Sequence, residues 1–263
     1  MSTVTRAAII EKAPWCAPIP QRNTGCCIQT TTPPQRPDLA TYSQMEQIAN
    51  GNAPTWNSPD ITTNNDFPWT LLPAAQVVVR NLSNVASAIN ALVTVATSAF
   101  GIGMPQSPLS SQKLSLGPGQ QVTLSFPFTA ALLAGPPSIG TYVLIEDTYD
   151  ANRINNSGGQ VVQGMKTSDV GRNVVLSFPV TNSSGSARTI SLNVLANALS
   201  GAVTPAIQAF APWEQINASL NLSVPGGMHG TSAAPIYNEV TVIAYGSDGS
   251  VVGGATWILW VDN

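Results

Sequence analysis

Hydrophobic residues alternate with polar or small ones along most of the chain after residue 70, in short runs separated by clusters of Gly, Pro, Asn and Ser. A period of two is typical of strands with one buried face, and regularly spaced turn clusters are typical of β-sandwiches. The Ala-rich stretch 85–100 keeps this alternation through Ile89, Ala91, Val93 and Val95. The predicted strands are 77–80, 89–97, 121–126, 141–146, 174–180, 189–195, 219–224, 239–245 and 255–261.

An internal repeat divides these strands into two sets. Residues 79–93 align without a gap with residues 180–194. In both segments a strand leads to a polar turn, opened by Asn81 or Asn182, and then to a second strand. Such a recurrence indicates two consecutive domains of about 100 residues, the size of an immunoglobulin-like sandwich. The predicted fold class is therefore all-β, with two tandem immunoglobulin-like β-sandwiches.

The predicted domains follow from this repeat. Residues 1–55 form a proline-rich arm, residues 56–165 the first sandwich and residues 166–263 the second. The polar segment 151–168 is predicted to join the two sandwiches.

One short helix is predicted in the arm, at residues 38–50. Asp38 is its expected N-cap, and Asn50-Gly51 is its expected stop signal. The apolar residues at helical spacing are Leu39, Tyr42, Met45 and Ile48.

The first 37 residues lack a periodic hydrophobic pattern and are rich in proline. Proline has no N–H for a β ladder and stiffens the chain toward polyproline geometry. We therefore expect an extended arm that becomes ordered only against another surface, with Trp15 as its anchor; a disordered tail is the alternative. The prolines are Pro14, Pro18, Pro20, Pro33, Pro34 and Pro37.

Charged residues make up only 9% of the chain, against roughly 25% in ordinary soluble domains, and the net charge is −3. A neutral polar surface has little self-repulsion, which favours a subunit packed against copies of itself or other assembly subunits; a neutral secreted surface is the alternative. No run of Lys or Arg could neutralise phosphates, so nucleic acid is excluded as a partner.

The sequence contains no apolar stretch of about 18 residues, so no membrane insertion is predicted. The apolar stretch near Met1 has four residues, which is shorter than the core of a signal peptide. We expect a virion or another extracellular assembly, reached without a Sec-type signal; a secreted or cell-surface protein is the alternative.

All three cysteines, Cys16, Cys26 and Cys27, lie in the arm. Cys16 could pair with Cys26 or Cys27 and leave one thiol for a bond to another chain, whereas a bond between the adjacent pair would be strained. A zinc site and reduced thiols are the alternatives.

The polar segment after the fourth predicted strand contains a candidate calcium site. Asp147, Asp150 and Asn152 offer the oxygen ligands that calcium prefers, but their spacing differs from that of known calcium loops. The same residues could instead cap their own backbone in a long turn. No cofactor is predicted.

Catalysis has little support in the sequence. His229 is the one histidine, and no nucleophile motif accompanies it, so a loop histidine is the favoured interpretation. Trp257 and Trp260 point to opposite faces of the last strand, so one is expected in the core and Trp260 is a candidate interface residue, together with Trp15.

Three segments resemble the CARDB-like, adhesion-related immunoglobulin-fold domains of bacteria. They are residues 56–61 (WNSPDI), 116–126 (LGPGQQVTLSF) and 147–156 (DTYDANRINN). The resemblance covers residues 56 to about 165 and extends to the second sandwich only in general character. It implies adhesion or assembly and carries no catalytic residues.

The sequence therefore predicts a non-enzymatic structural protein, such as a subunit of a phage virion, a phage-tail-like particle or a surface filament. Its contacts would be made by the sandwich faces and the arm. A bacterial adhesin or glycan-binding module is the alternative, because the tryptophans could stack on sugars. A hydrolase is the class that the residues favour least.

Overall fold

Strands dominate the protein in its computed structural model, which describes residues 35–65, 69–167, 173–196, 199–225 and 236–261. The predicted all-β, sandwich-type fold class is confirmed. The strands are β1 (Leu39–Ala40), β2 (Ile61–Asn64), β3 (Leu71–Asn81), β4 (Ala88–Ala99), β5 (Ser107–Leu116), β6 (Gln121–Pro127), β7 (Ile139–Glu146), β8 (Ser157–Thr167), β9 (Asn173–Thr181), β10 (Arg188–Ala196), β11 (Ser200–Thr204), β12 (Ile207–Phe210), β13 (Gln215–Ser223), β14 (Ile236–Gly246) and β15 (Val251–Val261). The helices are α1 (Gln44–Ala49) and α2 (Ala130–Leu133), and Arg153–Asn155 form a 3-10 turn.

Each of the nine predicted strands coincides with a strand of the structure, in most cases extended by a few residues. Six strands were not predicted: β1, β2, β5, β8, β11 and β12. They are short or lack a clean hydrophobic alternation. β5, for example, is mostly exposed because it lies at the end of its sheet.

The predicted helix at 38–50 is shorter than expected. Ser43 caps α1, and its side-chain oxygen accepts the backbone N–H of Glu46. Leu39 and Ala40 instead form β1, which pairs with the end of β3. Asp38 is therefore not the cap, because the backbone there is held in an extended conformation by strand pairing.

The first sandwich packs the sheet around β3 against β4, β5 and β7. β6 pairs along one edge of β3, and β2 and β1 pair along the other. Alternate residues of the facing strands are buried between the sheets. The core includes Leu39, Ile61, Ala75, Val77, Val79, Ala91, Val93, Val95, Phe126, Val143 and Ile145.

The second sandwich packs β9, β13 and β11 against β10, β14 and β15. As in the first sandwich, alternate residues of the facing strands are buried between the sheets. The core includes Trp257, whose ring meets Phe178 edge-on with 4.9 Å between the ring centroids. Other members include Leu176, Val180, Ile190, Leu192, Ala218, Leu220, Val240, Val242 and Leu259.

β8 belongs to both sandwiches, and this corrects the predicted polar linker at 151–168. Its first half pairs antiparallel with β7, and its second half pairs in parallel with β15. Segment 151–168 thus contains the 3-10 turn and an 11-residue strand. One eight-stranded sheet runs through both halves, in the order β12-β10-β14-β15-β8-β7-β4-β5. The predicted boundary at residue 165 falls inside β8.

The two asparagines of the repeat fix equivalent turns. Asn81 is buried, and its Nδ2 donates to the carbonyl oxygens of Ala86 (2.8 Å), Leu116 and Gly117 (both 3.2 Å). Its Oδ1 accepts the backbone N–H of Ser83 at 3.2 Å. The side chain therefore ties the β3–β4 turn to the end of β5.

Asn182 does the same in the second sandwich. Its Nδ2 donates to the carbonyl oxygens of Ser186 (2.8 Å) and Ala211 (2.9 Å), and its Oδ1 accepts the N–H of Ser184 (3.2 Å). The sequence repeat thus corresponds to a repeated polar turn. In the part of the chain that the structure describes, no helix is long and apolar enough to cross a membrane.

We expect Asn81→Ala and Asn182→Ala each to lower the free energy of unfolding by about 3 kcal/mol, because each removes at least three hydrogen bonds of about 1 kcal/mol between a buried amide and the backbone of a turn. Urea denaturation measures this loss. Asn221→Ala, on the exposed side of β13, is the matched control and should change stability by less than about 0.5 kcal/mol. Equal effects of all three substitutions would contradict the structural role of the two turns.

Candidate functional site

An open groove lies where the two sandwiches meet, with a volume of about 420 Å³. We call it the junction groove. The first sandwich and β8 supply its floor, α1 forms one wall, and the start of β15 forms the other. Its lining consists of Gln44, Met45, Trp56, Thr94, Ala96, Gln106, Tyr142, Val143, Leu144, Ser157, Gly158, Gly159, Val251, Val252 and Gly253.

Gln44 fixes the α1 wall to the sheet. Its Nε2 donates to the carbonyl oxygens of Gly159 (2.7 Å) and Thr55 (2.9 Å), and its Oε1 accepts the N–H of Gly159 (3.0 Å). A buried amide with three such bonds holds the short helix firmly against β8.

Glycines let the floor come close to its neighbours. A Cβ on Gly158 would lie 2.1 Å from the carbonyl oxygen of Tyr42, and one on Gly159 would meet the rings of Tyr142 and Trp56 at 3.3 and 3.6 Å. The absence of side chains at these two positions therefore lets the Tyr42 backbone and the two aromatic rings pack directly on the backbone of β8.

The segment that carries Trp56 is anchored on β15. The backbone N–H of Trp56 donates to Oγ1 of Thr256 at 2.9 Å, and its ring covers Gly254, where a Cβ would lie 2.4 Å from the indole. The side chain of Trp56 is buried and joins the second core. The groove thus depends on contacts from both sandwiches.

The chemistry of the groove is that of an apolar contact surface. None of its fifteen described lining residues is charged. Burial raises the pKa of Tyr142, and a hydrogen bond with Ser98 lowers it in part, so the phenol is neutral at neutral pH. Met45 and Leu144 are 45% and 46% exposed.

A second groove of about 350 Å³ continues the first and shares Leu144 with it. We call it the acidic groove, because Glu146 and Asp147 line it beside Arg153. The two grooves together follow the outer side of β7.

The calcium candidates lie in the turn between β7 and β8, and their oxygens cap the backbone. Asp147 Oδ1 accepts the N–H of Tyr149, and Asp150 Oδ1 accepts that of Asn152, both at 2.8 Å. Asn152 Oδ1 accepts the N–H of Ile154 at 3.3 Å. These are successive Asx turns.

Asp150 has a further structural role, because its Oδ2 accepts the N–H of Leu39 at 2.8 Å. Burial raises the pKa of Asp150, the backbone N–H groups of Leu39 and Asn152 lower it, and the nearby carboxylates of Asp38 and Asp147 raise it. Within the described ranges no group of three or more His, Cys, Asp or Glu side chains is arranged to hold a metal. This geometry does not provide a set of ligands for the predicted calcium site.

The tryptophans of the last strand do face opposite sides. Trp257 is fully buried in the second core and donates its indole N–H to Oε1 of Gln163 (3.0 Å). Trp260 packs between Trp69 and Tyr237, with centroid distances of 5.8 and 5.7 Å. It is only 3% exposed, so it offers no surface to another chain, and Tyr237 is the exposed aromatic residue on that side.

The remaining candidates lie outside the described residues. These are the arm residues Trp15, Cys16, Cys26 and Cys27, and the loop residue His229. The pairing of the cysteines and the role of the histidine stay predictions.

Sequence reasoning missed the junction groove, because its lining comes from segments that are far apart in the chain. The adjacent glycines Gly158 and Gly159 were the one local signal, since glycines in a strand often mark a close approach. No local sequence pattern indicates the role of Gln44, because its hydrogen-bond partners lie 11 and 115 residues away in the chain.

No family model and no curated protein matches the chain. Among solved structures, an ASH/PapD-like domain of human CEP192 shares 10% identity over 38% of this chain and 80% of its own, with a TM-score of 0.29. WR4, an MSP family member from C. elegans, shares 14% identity over 37% and 91%, with a TM-score of 0.26. Elastase-activated alpha-2-macroglobulin from Escherichia coli shares 11% over 88% of this chain and 22% of its own, with a TM-score of 0.29. Likenesses this weak carry no functional inference.

We expect Gln44→Ala to lower the free energy of unfolding by about 2 kcal/mol, because it leaves buried backbone groups of Gly159 and Thr55 without their partner. Gln47→Ala in the same helix is the control, since its one side-chain bond, to Asn52, is exposed, and it should cost less than about 0.5 kcal/mol. Chemical denaturation compares the two variants. Equal stability of both would show that Gln44 does not fix the wall of the groove.

Proposed function

We propose that the protein is a non-enzymatic structural subunit that associates with copies of itself, as in a phage virion, a phage-tail-like particle or a surface filament. Its contacts are made by the sandwich faces, with the junction groove at their centre, and by the N-terminal arm. The likeness of residues 56–165 to CARDB-like domains remains a prediction that agrees with this role.

The observation that carries the proposal is the character of the junction groove. It combines exposed apolar side chains with a lining that bears no charge, and both sandwiches hold it in shape. Such a surface gains free energy when another protein covers its apolar area, and no charged group has to be desolvated. The groove therefore suits a protein partner.

The low charge of the whole chain supports the same role. With 9% charged residues, molecules of this protein repel one another weakly, so apolar contacts can bring them together. A subunit of a dense assembly benefits from this property.

A glycan platform has less support from the geometry. Stacking on sugars requires neighbouring exposed aromatic rings, but Trp56, Trp257 and Trp260 are buried. Trp213 is 66% exposed and lies in the turn before β13. Trp213 is the one tryptophan of the described residues that is more than half exposed, and a single exposed tryptophan makes a weaker sugar site than a row of them.

We expect Leu144→Lys to weaken self-association of the full chain at least about tenfold in Kd, which corresponds to about 1.4 kcal/mol, because it places an ammonium group in the apolar contact. Sedimentation velocity over a concentration series measures the change. Circular dichroism should show unchanged folding, since Leu144 is half-exposed.

Val175→Lys is the matched control, because Val175 is also an exposed apolar strand residue but lies on β9, away from the groove. It should leave the association constant unchanged. A wild-type chain that is monomeric throughout the series, or equal weakening by both lysines, would overturn the proposed role of the groove.

A further inference from the structure

Resting on the assembly role proposed above, we infer that the junction groove binds residues 13–20 of the N-terminal arm of a second copy of this chain. This segment reads Ala-Pro-Trp-Cys-Ala-Pro-Ile-Pro. The groove and the segment match in charge, in shape and in their flanking groups.

The charge match is the most direct. The groove lining carries no charge, and the eight residues of the segment carry none either. Cations lie just outside the segment, at Lys12 and Arg22. An occupant of this composition loses little hydration free energy when it enters the groove.

The shape match follows from the apolar side chains that the groove exposes. Met45 and Leu144 are about half exposed, and the ring of Tyr142 is partly exposed. Apolar grooves that contain an aromatic ring suit proline-rich segments, because polyproline geometry is already formed before binding and little entropy is lost. Trp15 gives the segment the large aromatic anchor that such contacts depend on.

The charged residues beside the segment match the carboxylates of the acidic groove. Leu144 lines both grooves, so a chain that leaves the junction groove past this residue reaches Glu146 and Asp147, which outnumber the one cation there, Arg153. Arg22 follows the segment without an acidic neighbour, whereas Lys12 is next to Glu11, so the matching direction of binding places Arg22 beside these carboxylates. This pairing favours the arm over an uncharged apolar peptide.

A site-directed disulfide between two different full-length chains tests the inference. The arm chain carries Cys26→Ser and Cys27→Ser and keeps Cys16. The groove chain carries Cys16→Ser, Cys26→Ser, Cys27→Ser and Thr94→Cys, so its one thiol lies in the groove. A bond between Cys16 and position 94 can then form only between copies.

We expect oxidised glutathione to produce this heterodimer at least about a hundredfold faster than with a control groove chain that carries Ser177→Cys in place of Thr94→Cys, because docking raises the effective thiol concentration. Mass spectrometry of the linked peptides identifies the bond. Trp15→Ala in the arm chain should remove the difference from the control.

Equal rates at positions 94 and 177, or a rate that Trp15→Ala does not change, would overturn the inference. If Leu144→Lys still weakened self-association in that case, the groove would remain an assembly surface with another part of the second copy as its occupant. The failure of the arm contact is thereby separate from a failure of the assembly role.

Discussion

The pairing of β8 with two different neighbours is the contact on which the rest of the structure depends. β8 bonds to β7 in its first half and to β15 in its second, so one sheet passes through both sandwiches. Val161 is part of the second core, and Gly164, on the opposite face of β8, lies against the rings of Trp69 and Trp260. Backbone hydrogen bonds therefore connect two hydrophobic cores that otherwise form separately.

The junction groove is a consequence of this arrangement. Its floor follows β7 and the start of β8, and its far wall is the start of β15, so each side comes from a different sandwich. Hydrogen bonds hold the segment from Gln44 to Trp56 against the sheet: the side chain of Gln44 bonds to β8, and the backbone N–H of Trp56 bonds to β15. A surface built in this way keeps its shape only while the two halves stay together, and a preformed surface of this kind loses little conformational entropy when a protein binds to it.

The sequence was a good guide to local structure and a poor guide to the site. Period-two alternation located nine strands, and the repeat located the turns of Asn81 and Asn182, because both signals are local. The sequence predicts a polar linker at 151–168 where β8 lies, since Ser157, Gly158 and Gly159 open this strand without a hydrophobic pattern. The strands that pair with β8 are far from it in the sequence, so its own residues do not predict them. The same holds for the groove, whose lining comes from several distant segments.

Hydrogen exchange of the full chain at increasing denaturant concentration tests the central claim most directly, because it reports the opening of each strand separately. If β8 joins the two sandwiches into one cooperative unit, β4 of the first sandwich and β10 of the second should lose protection at the same denaturant concentration. Loss of protection in one of these strands while the other stays fully protected would contradict the account, since it would show that the sandwiches unfold independently.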